Sequence, residues 1–184
     1  MGAFMTNFQA PAEMPDLEDR FKRGGVSNID MLLQRSQFPT LEWTVDKNAV
    51  VGDTVLFLCA KTSVDHIGHL CAQMKRAAQD GSALGRFAAE QRALYKEYAG
   101  CIVAVGRVAD KPFQTEASGW AAPYWRSPWY AKIDRIRLLD TPVPICQFRE
   151  FIAVSRTGAI TRLNADQWGK LREVIAADKM RILM

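Results

Sequence analysis

Histidine is nearly absent from this chain, which has only His66 and His69. Its four cysteines (Cys59, Cys71, Cys101, Cys146) are widely separated, with no C-x-x-C pair. A protein-bound zinc ion needs about four converging N, S or O ligands, so no metal site is expected. A Cys-His nucleophile is not expected either. Cys71, the cysteine nearest the histidines, belongs to the apolar stripe of a helix, where packing rather than reactivity is its role. The sequence contains no G-x-x-x-x-G-K-[ST], no G-x-G-x-x-G and no G-x-S-x-G. The common phosphate cradles and the hydrolase nucleophile elbow are therefore missing. Carboxylates are scattered, with no D-x-D or E-x-x-H pairing, and no catalytic residue or cofactor is assigned. No apolar run approaches the roughly 20 residues of a membrane helix. The opening MGAFMTNFQAP lacks the basic and long apolar regions of a signal peptide. The expectations are reduced thiols, a cytoplasmic location and no membrane partner.

What the chain does have is enough length for a core, an uneven charge and a cluster of aromatics. Its 184 residues, 48% hydrophobic and 24% charged, suit one globular domain. Residues 1–60 carry five Lys/Arg against eight Asp/Glu, a balance of −3, and residues 61–184 carry nineteen against twelve, a balance of +7. A basic body behind an acidic leader fits an anionic partner, nucleic acid first. Plain solubility is the competing explanation.

Residues 1–26 read as an irregular N-terminal arm and residues 27–184 as a single domain. Within the domain, Ser27 and Asn28 cap a short helix that ends before Pro39. LEWTV (41–45) is a short strand, and VLFLCA (55–60) is a nearly continuous apolar run suited to a strand covered on both faces. Ile67, Leu70, Cys71 and Met74 then fall at helical spacing, capped by Ser63 or Asp65. A second helix runs from about Ala83 to Gly100. CIVAVGRVA (101–109) is the next strand. YAKIDRIRLL (130–139) is another, with its apolar phase broken between Ile133 and Ile136. A bulge near Asp134 and Arg135 reconciles the two phases. DTPVP reads as a turn and GAITRL as a last strand, and Asn164 with Gln167 forms a capping box for a final helix. Curved strands with helices inserted at one point predict an α+β fold: a curved sheet or small pseudo-barrel, two helices after the second strand, and a C-terminal helix.

The stretch 117–133, ASGWAAPYWRSPWYAKI, holds three of the five tryptophans, and Pro123 and Pro128 keep it from being a helix. Aromatic rings on a loop with Arg126 and Ser127 suit stacking on nucleobases, at about 1–3 kcal/mol per base. Packing of the same rings into a barrel end is the alternative.

VVGDTVLFLCAKTS, a helical insertion, GCIVAVGRVADKPF and WYAKIDRIRLLDTPVPI together resemble the EVE domain of the PUA-like superfamily, over roughly residues 41–176. The resemblance implies binding of RNA or modified bases. EVE-type domains are similar to modules that read modified cytosine in DNA and to YTH domains, which read N6-methyladenine in RNA. By that likeness Lys61 and Thr62 stand where YTH domains place a Lys-Ser pair beside the ligand, and Trp120 and Trp125 stand in the loop that supplies cage tryptophans. The YTH pattern also draws a tryptophan from the helix after that strand, and residues 64–82 contain none. The departure points to a modified base other than methyladenine. The G-x-K-x-x-E-x-R signature of the neighbouring ASCH family is absent as well.

The expected function is a non-catalytic module holding a flipped, modified base, either modified cytosine or methyladenine, in DNA or RNA. Trp43, Phe57, Trp120, Trp125 and Tyr130 would line the pocket, and Lys61, Thr62 and Ser127 would reach the base edge. Arg126, Arg135 and Arg137 would contact phosphates. The rivals are a small hydrolase or nucleotide-modifying enzyme using the same pocket, and a protein-interaction module with an aromatic docking loop.

Overall fold

A computed structural model describes residues 1–22, 24, 28–34, 39–114, 128–154 and 160–181. In chain order these form β1 (Ala3–Phe8), α1 (Met14–Lys22), α2 (Asn28–Leu33), β2 (Leu41–Thr44), β3 (Thr54–Cys59), α3 (Ser63–Arg76) and α4 (Ala83–Tyr98). They continue with β4 (Cys101–Val108), β5 (Phe113–Gln114), β6 (Trp129–Pro144), a 3₁₀ turn (Ile145–Gln147), β7 (Ile160–Leu163) and α5 (Ala165–Arg181). The strands make one sheet in the order β2-β6-β4-β3-β1-β7, and β5 adds to β6. Only the β1–β3 pairing is parallel among the described strands. The sheet is curled into a half-barrel, and the expected α+β architecture is the one observed.

The N-terminal segment, expected to be irregular, contains an inner strand and a helix. Ala3, Phe4, Met5 and Phe8 are buried, and β1 lies between β3 and β7. AFMTNF carries no alternation of apolar and polar residues, because a strand buried on both faces shows no period of two. The helix pair α3–α4 therefore follows the third strand rather than the second. Asp53 anchors the arrangement: its buried carboxylate accepts the Gly2 N–H at 2.5 Å and the Val50 N–H at 3.1 Å. Gly52, at φ +93°, supplies the left-handed turn that brings Asp53 there. The Gly-Asp pair thus joins β1 to β3.

Each face of the sheet has its own core. One contains Phe4, Phe8, Trp43, Val55, Phe57, Ile133 and Ile136 with α1 to α4, and the other contains Met5, Leu56, Leu58, Ile102, Val143, Phe148 and Leu171 of α5. The Asn164–Gln167 capping box is present, with Gln167 N–H donating to Asn164 Oδ1 at 2.9 Å and Asn164 N–H to Gln167 Oε1 at 3.0 Å. At α3 neither expected cap is used. Thr62 is the N-cap without a side-chain bond, and Ser63 Oγ instead accepts the Ala10 N–H at 3.1 Å.

The fault in the rhythm of β6 is a bulge. Val105 pairs with Arg137 and Arg107 with Asp134, so Gly106 faces two residues, Arg135 and Ile136. Arg135 adopts φ +47°, the left-handed conformation found at the first position of such bulges. Residues 140–144 differ from expectation. They stay within β6 across a second irregularity, between the Ala104–Leu138 and Ile102–Val143 pairs, instead of ending it as a turn.

Candidate nucleic-acid interface

The anticipated site residues divide between the inside of the half-barrel and its outer surface. Trp43 and Phe57 are core residues, 5% and 0% exposed. Trp43 packs edge-on against Phe57 and Phe8, with ring centroids 5.1 and 6.1 Å apart, and its Nε1–H donates to Thr6 Oγ1 at 3.2 Å. These contacts cross the half-barrel from β2 to β1 and β3, so the curl of the sheet depends on them. The expectation that Phe57 lines an open pocket is corrected here, since a ring with no accessible surface has no face left for a base. Trp43, its indole enclosed edge-on by Phe8 and Phe57, is corrected likewise.

Lys61 and Thr62 are exposed, in the turn between β3 and α3. Lys61 begins against Gly100, whose φ of +77° turns the chain from α4 into β4. By register they lie beyond the Cys101–Pro144 end of the β4–β6 ladder, whereas Tyr130 lies beyond its Val108–Ile133 end. The ladder does not bring the two sets together. Trp43 pairs with Ala131, next to Tyr130, and its ring meets Phe8, whose carbonyl accepts the Ala60 N–H at 2.8 Å.

Tyr130, Arg135 and Arg137 face outward. Alternation along β6 buries Ala131 and Ile133 and leaves Lys132 exposed, with Tyr130 and Asp134 in the same phase. The bulge then turns Ile136 inward and exposes both Arg135 and Arg137. Arg107, opposite Asp134, extends the cationic row onto β4, its Nη1 donating to the Gly52 carbonyl at 3.1 Å. The Lys132 N–H donates to Asp110 Oδ1 at 2.8 Å, and Glu42 sits opposite Lys132 on β2. Trp129 packs against the inner core, as a plug at the start of the strand. Trp120, Trp125, Arg126 and Ser127 lie outside the described residues.

Sequence reasoning passed over Phe113 and Arg107. Phe113 stands opposite Tyr130 and is 36% exposed. A lone apolar residue after Pro112 was the available signal, and only the pairing gives it meaning.

Among the described residues no group of three or more His, Cys, Asp or Glu side chains is placed to hold a metal, and no helix is long and apolar enough to cross a membrane. Burial pushes the Cys59 thiol up to about 12, and it raises Cys101 and Cys71 as well. Cys59 is therefore neutral in the native state where an unfolded thiol would ionise. Its contribution to stability is complete below the ordinary thiol range and is lost as pH rises through that range toward 12. We expect urea midpoints to fall between pH 8.5 and 10.5, and to fall less in Cys59→Ala, about 1–2 pH units around the free thiol value being enough to see the slope. Equal slopes in the two proteins would refute this.

No protein-family model matches the sequence, and no curated protein matches it at a significant level. Solved structures align with it along most of its length. Human THYN1, determined in complex with 5-methylcytosine-containing DNA, aligns over 95% of this chain and 98% of its own, with a TM-score of 0.54 and 9% identity. Rpa0253 from Rhodopseudomonas palustris aligns over 96% and 94%, with a TM-score of 0.45 and 11% identity. Atu2648 from Agrobacterium tumefaciens aligns over 96% and 92%, with a TM-score of 0.43 and 10% identity. The curled mixed sheet with its helices is the PUA-like fold, and THYN1 shares it. At that level of identity, what is shared is the fold.

Proposed function

We propose that this chain is a non-catalytic nucleic-acid-binding module of the EVE type that holds a flipped, modified base, with modified cytosine in DNA as the first ligand. The observation that carries this reading is the exposed row Lys132, Arg135, Arg137 and Arg107 beside Tyr130 on one face of the sheet. Arg135 is notable within it. A non-glycine residue in the left-handed region costs about 1–2 kcal/mol, and a cation kept at a strained position is better explained by a task than by stability. The DNA complex of human THYN1, built on the same fold, supports the choice of ligand.

Trp120 and Trp125 clasp the base, and Tyr130, beyond the opposite end of the β4–β6 ladder from Lys61 and Thr62, stands outside the pocket. Lys61, Thr62 and Ser127 contact the polar edge of the base, and Arg126, Arg135 and Arg137 contact phosphates. Trp43 and Phe57 hold the wall of the half-barrel and do not touch the ligand. Extrusion of a base costs a few kcal/mol, less for a base already unpaired, so a short contact surface is sufficient to select.

The test is fluorescence anisotropy with duplexes that differ by one 5-methylcytosine, read at low and moderate salt. Affinity should fall with salt, by close to one log unit per log unit of salt for each phosphate neutralised. Trp125→Ala should abolish the preference for the modified duplex. A salt-independent affinity, or equal binding of all duplexes, would overturn the reading. Arg135→Gly provides a second check, since it should weaken binding while leaving stability unchanged or up to about 1 kcal/mol higher, glycine relieving the left-handed strain.

A further inference from the structure

We infer that Phe113 and Tyr130 form a stacking platform for an unpaired nucleobase, so that the module grips a single strand beside the flipped base. The inference rests on the proposed function and extends it to the β5–β6 pair, whose Phe113 lies outside the aromatic stretch.

Phe113 and Gln114 make a two-residue strand against Tyr130 and Trp129, and both are exposed. Directly opposed residues of an antiparallel pair project to the same face, with Cβ atoms about 4.5–5.5 Å apart. Phe113 and Tyr130 therefore present neighbouring rings on the outer face, while Trp129 turns into the inner core. Neither Phe113 nor Tyr130 belongs to either core cluster. A phenyl group left 36% exposed on so short a strand adds little to folding.

The surroundings specify the occupant. Lys132 is on the same face, two positions along β6 from Tyr130, and Arg107 and Arg137 continue the row. The acidic groups on this face are fewer than its cations: Asp110, which accepts the Lys132 backbone N–H and keeps its charge, Glu42 opposite Lys132, and Asp134 opposite Arg107. Lys111 and Arg135 add further exposed cations. Rings bordered by a cationic row match a chain of bases on a phosphate backbone: stacking accepts any base and the cations accept the phosphates. A protein partner would favour a larger apolar patch with fewer charges.

The experiment measures binding of the full chain to a short, unmodified, fluorescein-labelled oligothymidylate. Phe113→Ala should weaken binding roughly tenfold, as expected for loss of one stacked base. Phe113→Tyr should restore it to within about twofold, and the preference between modified and unmodified duplexes should be the same in all three proteins. If Phe113→Ala binds oligothymidylate as the native chain does, or if tyrosine fails to restore binding, the platform is refuted. Discrimination of the modified duplex with a silent Phe113→Ala refutes the platform alone. Loss of oligothymidylate binding in Phe113→Ala without any discrimination by the native chain refutes the modified-base pocket alone. A chain that binds no oligonucleotide refutes both, and association of the native chain with itself through Phe113 would identify a protein-docking face instead.

Discussion

Replacing Trp43 with alanine should lower stability by about 3–5 kcal/mol, the range for removing a large buried aromatic. The indole lies among Phe8, Phe57 and Thr6 and joins β2 to β1 and β3 across the half-barrel. Its loss opens a cavity at the place where the curl closes, and it leaves the Thr6 hydroxyl, on a fully buried residue, without that donor. Trp43→Phe keeps most of the ring volume and should cost less, about 1–2 kcal/mol for the lost hydrogen bond and the smaller ring. Urea unfolding followed by circular dichroism measures both. A Trp43→Ala protein of native stability that no longer binds nucleic acid would show that the ring serves the ligand and not the fold.

The second large effect belongs to Gly106. A Cβ built there would sit 2.7 Å from Ile133 Cγ2 and 2.9 Å from Ile136 Cγ1, with the Asp134 carbonyl at 3.3 Å. Both isoleucines are buried, and the bulge that turns them to one face also brings them onto Gly106. Gly106→Ala should cost about 1–3 kcal/mol by overpacking, and Gly106→Val more. For a chain of this length each kcal/mol corresponds to roughly 2–4 °C in the melting midpoint. Because the same bulge displays Arg135 and Arg137, the alanine variant should also bind oligonucleotide more weakly at temperatures where it remains folded. A Gly106→Ala protein that melts with the native midpoint would mean that β6 moves away from β4 without cost.

These two residues show what was legible and what was not. The interrupted phase of YAKIDRIRLL called for a bulge near Asp134 and Arg135, and that bulge is present. The long amphipathic helices and the capping box were legible for a similar reason, since spacing along the chain and local hydrogen bonds carry their own signal. Trp43 was readable as an aromatic in a short strand but not as a core residue. Its partners Thr6, Phe8 and Phe57 are distant in sequence, and the β1 segment reads from its sequence alone as an irregular arm. A fully buried strand has no alternation to reveal it, and its acidic neighbours suggested a solvated leader.

The candidate interface divides in the same way. The cations of β6 were visible as residue types, and their common exposure follows from a period of two corrected by one bulge. Phe113 was invisible, because its significance comes from standing opposite Tyr130, a pairing made across the long connection between β4 and β6. By itself the sequence determined helices α2 to α5, the inner strands β3 and β4, the bulge and the basic character of one strand, all of which arise from local periodicity and composition. Tertiary structure alone decided that β1 completes the sheet, that Trp43 and Phe57 face the core, and that Phe113 joins Tyr130 and the arginines on the outer surface. The physical reason is that curl and register set which faces meet, and both are fixed by contacts between residues far apart in the chain.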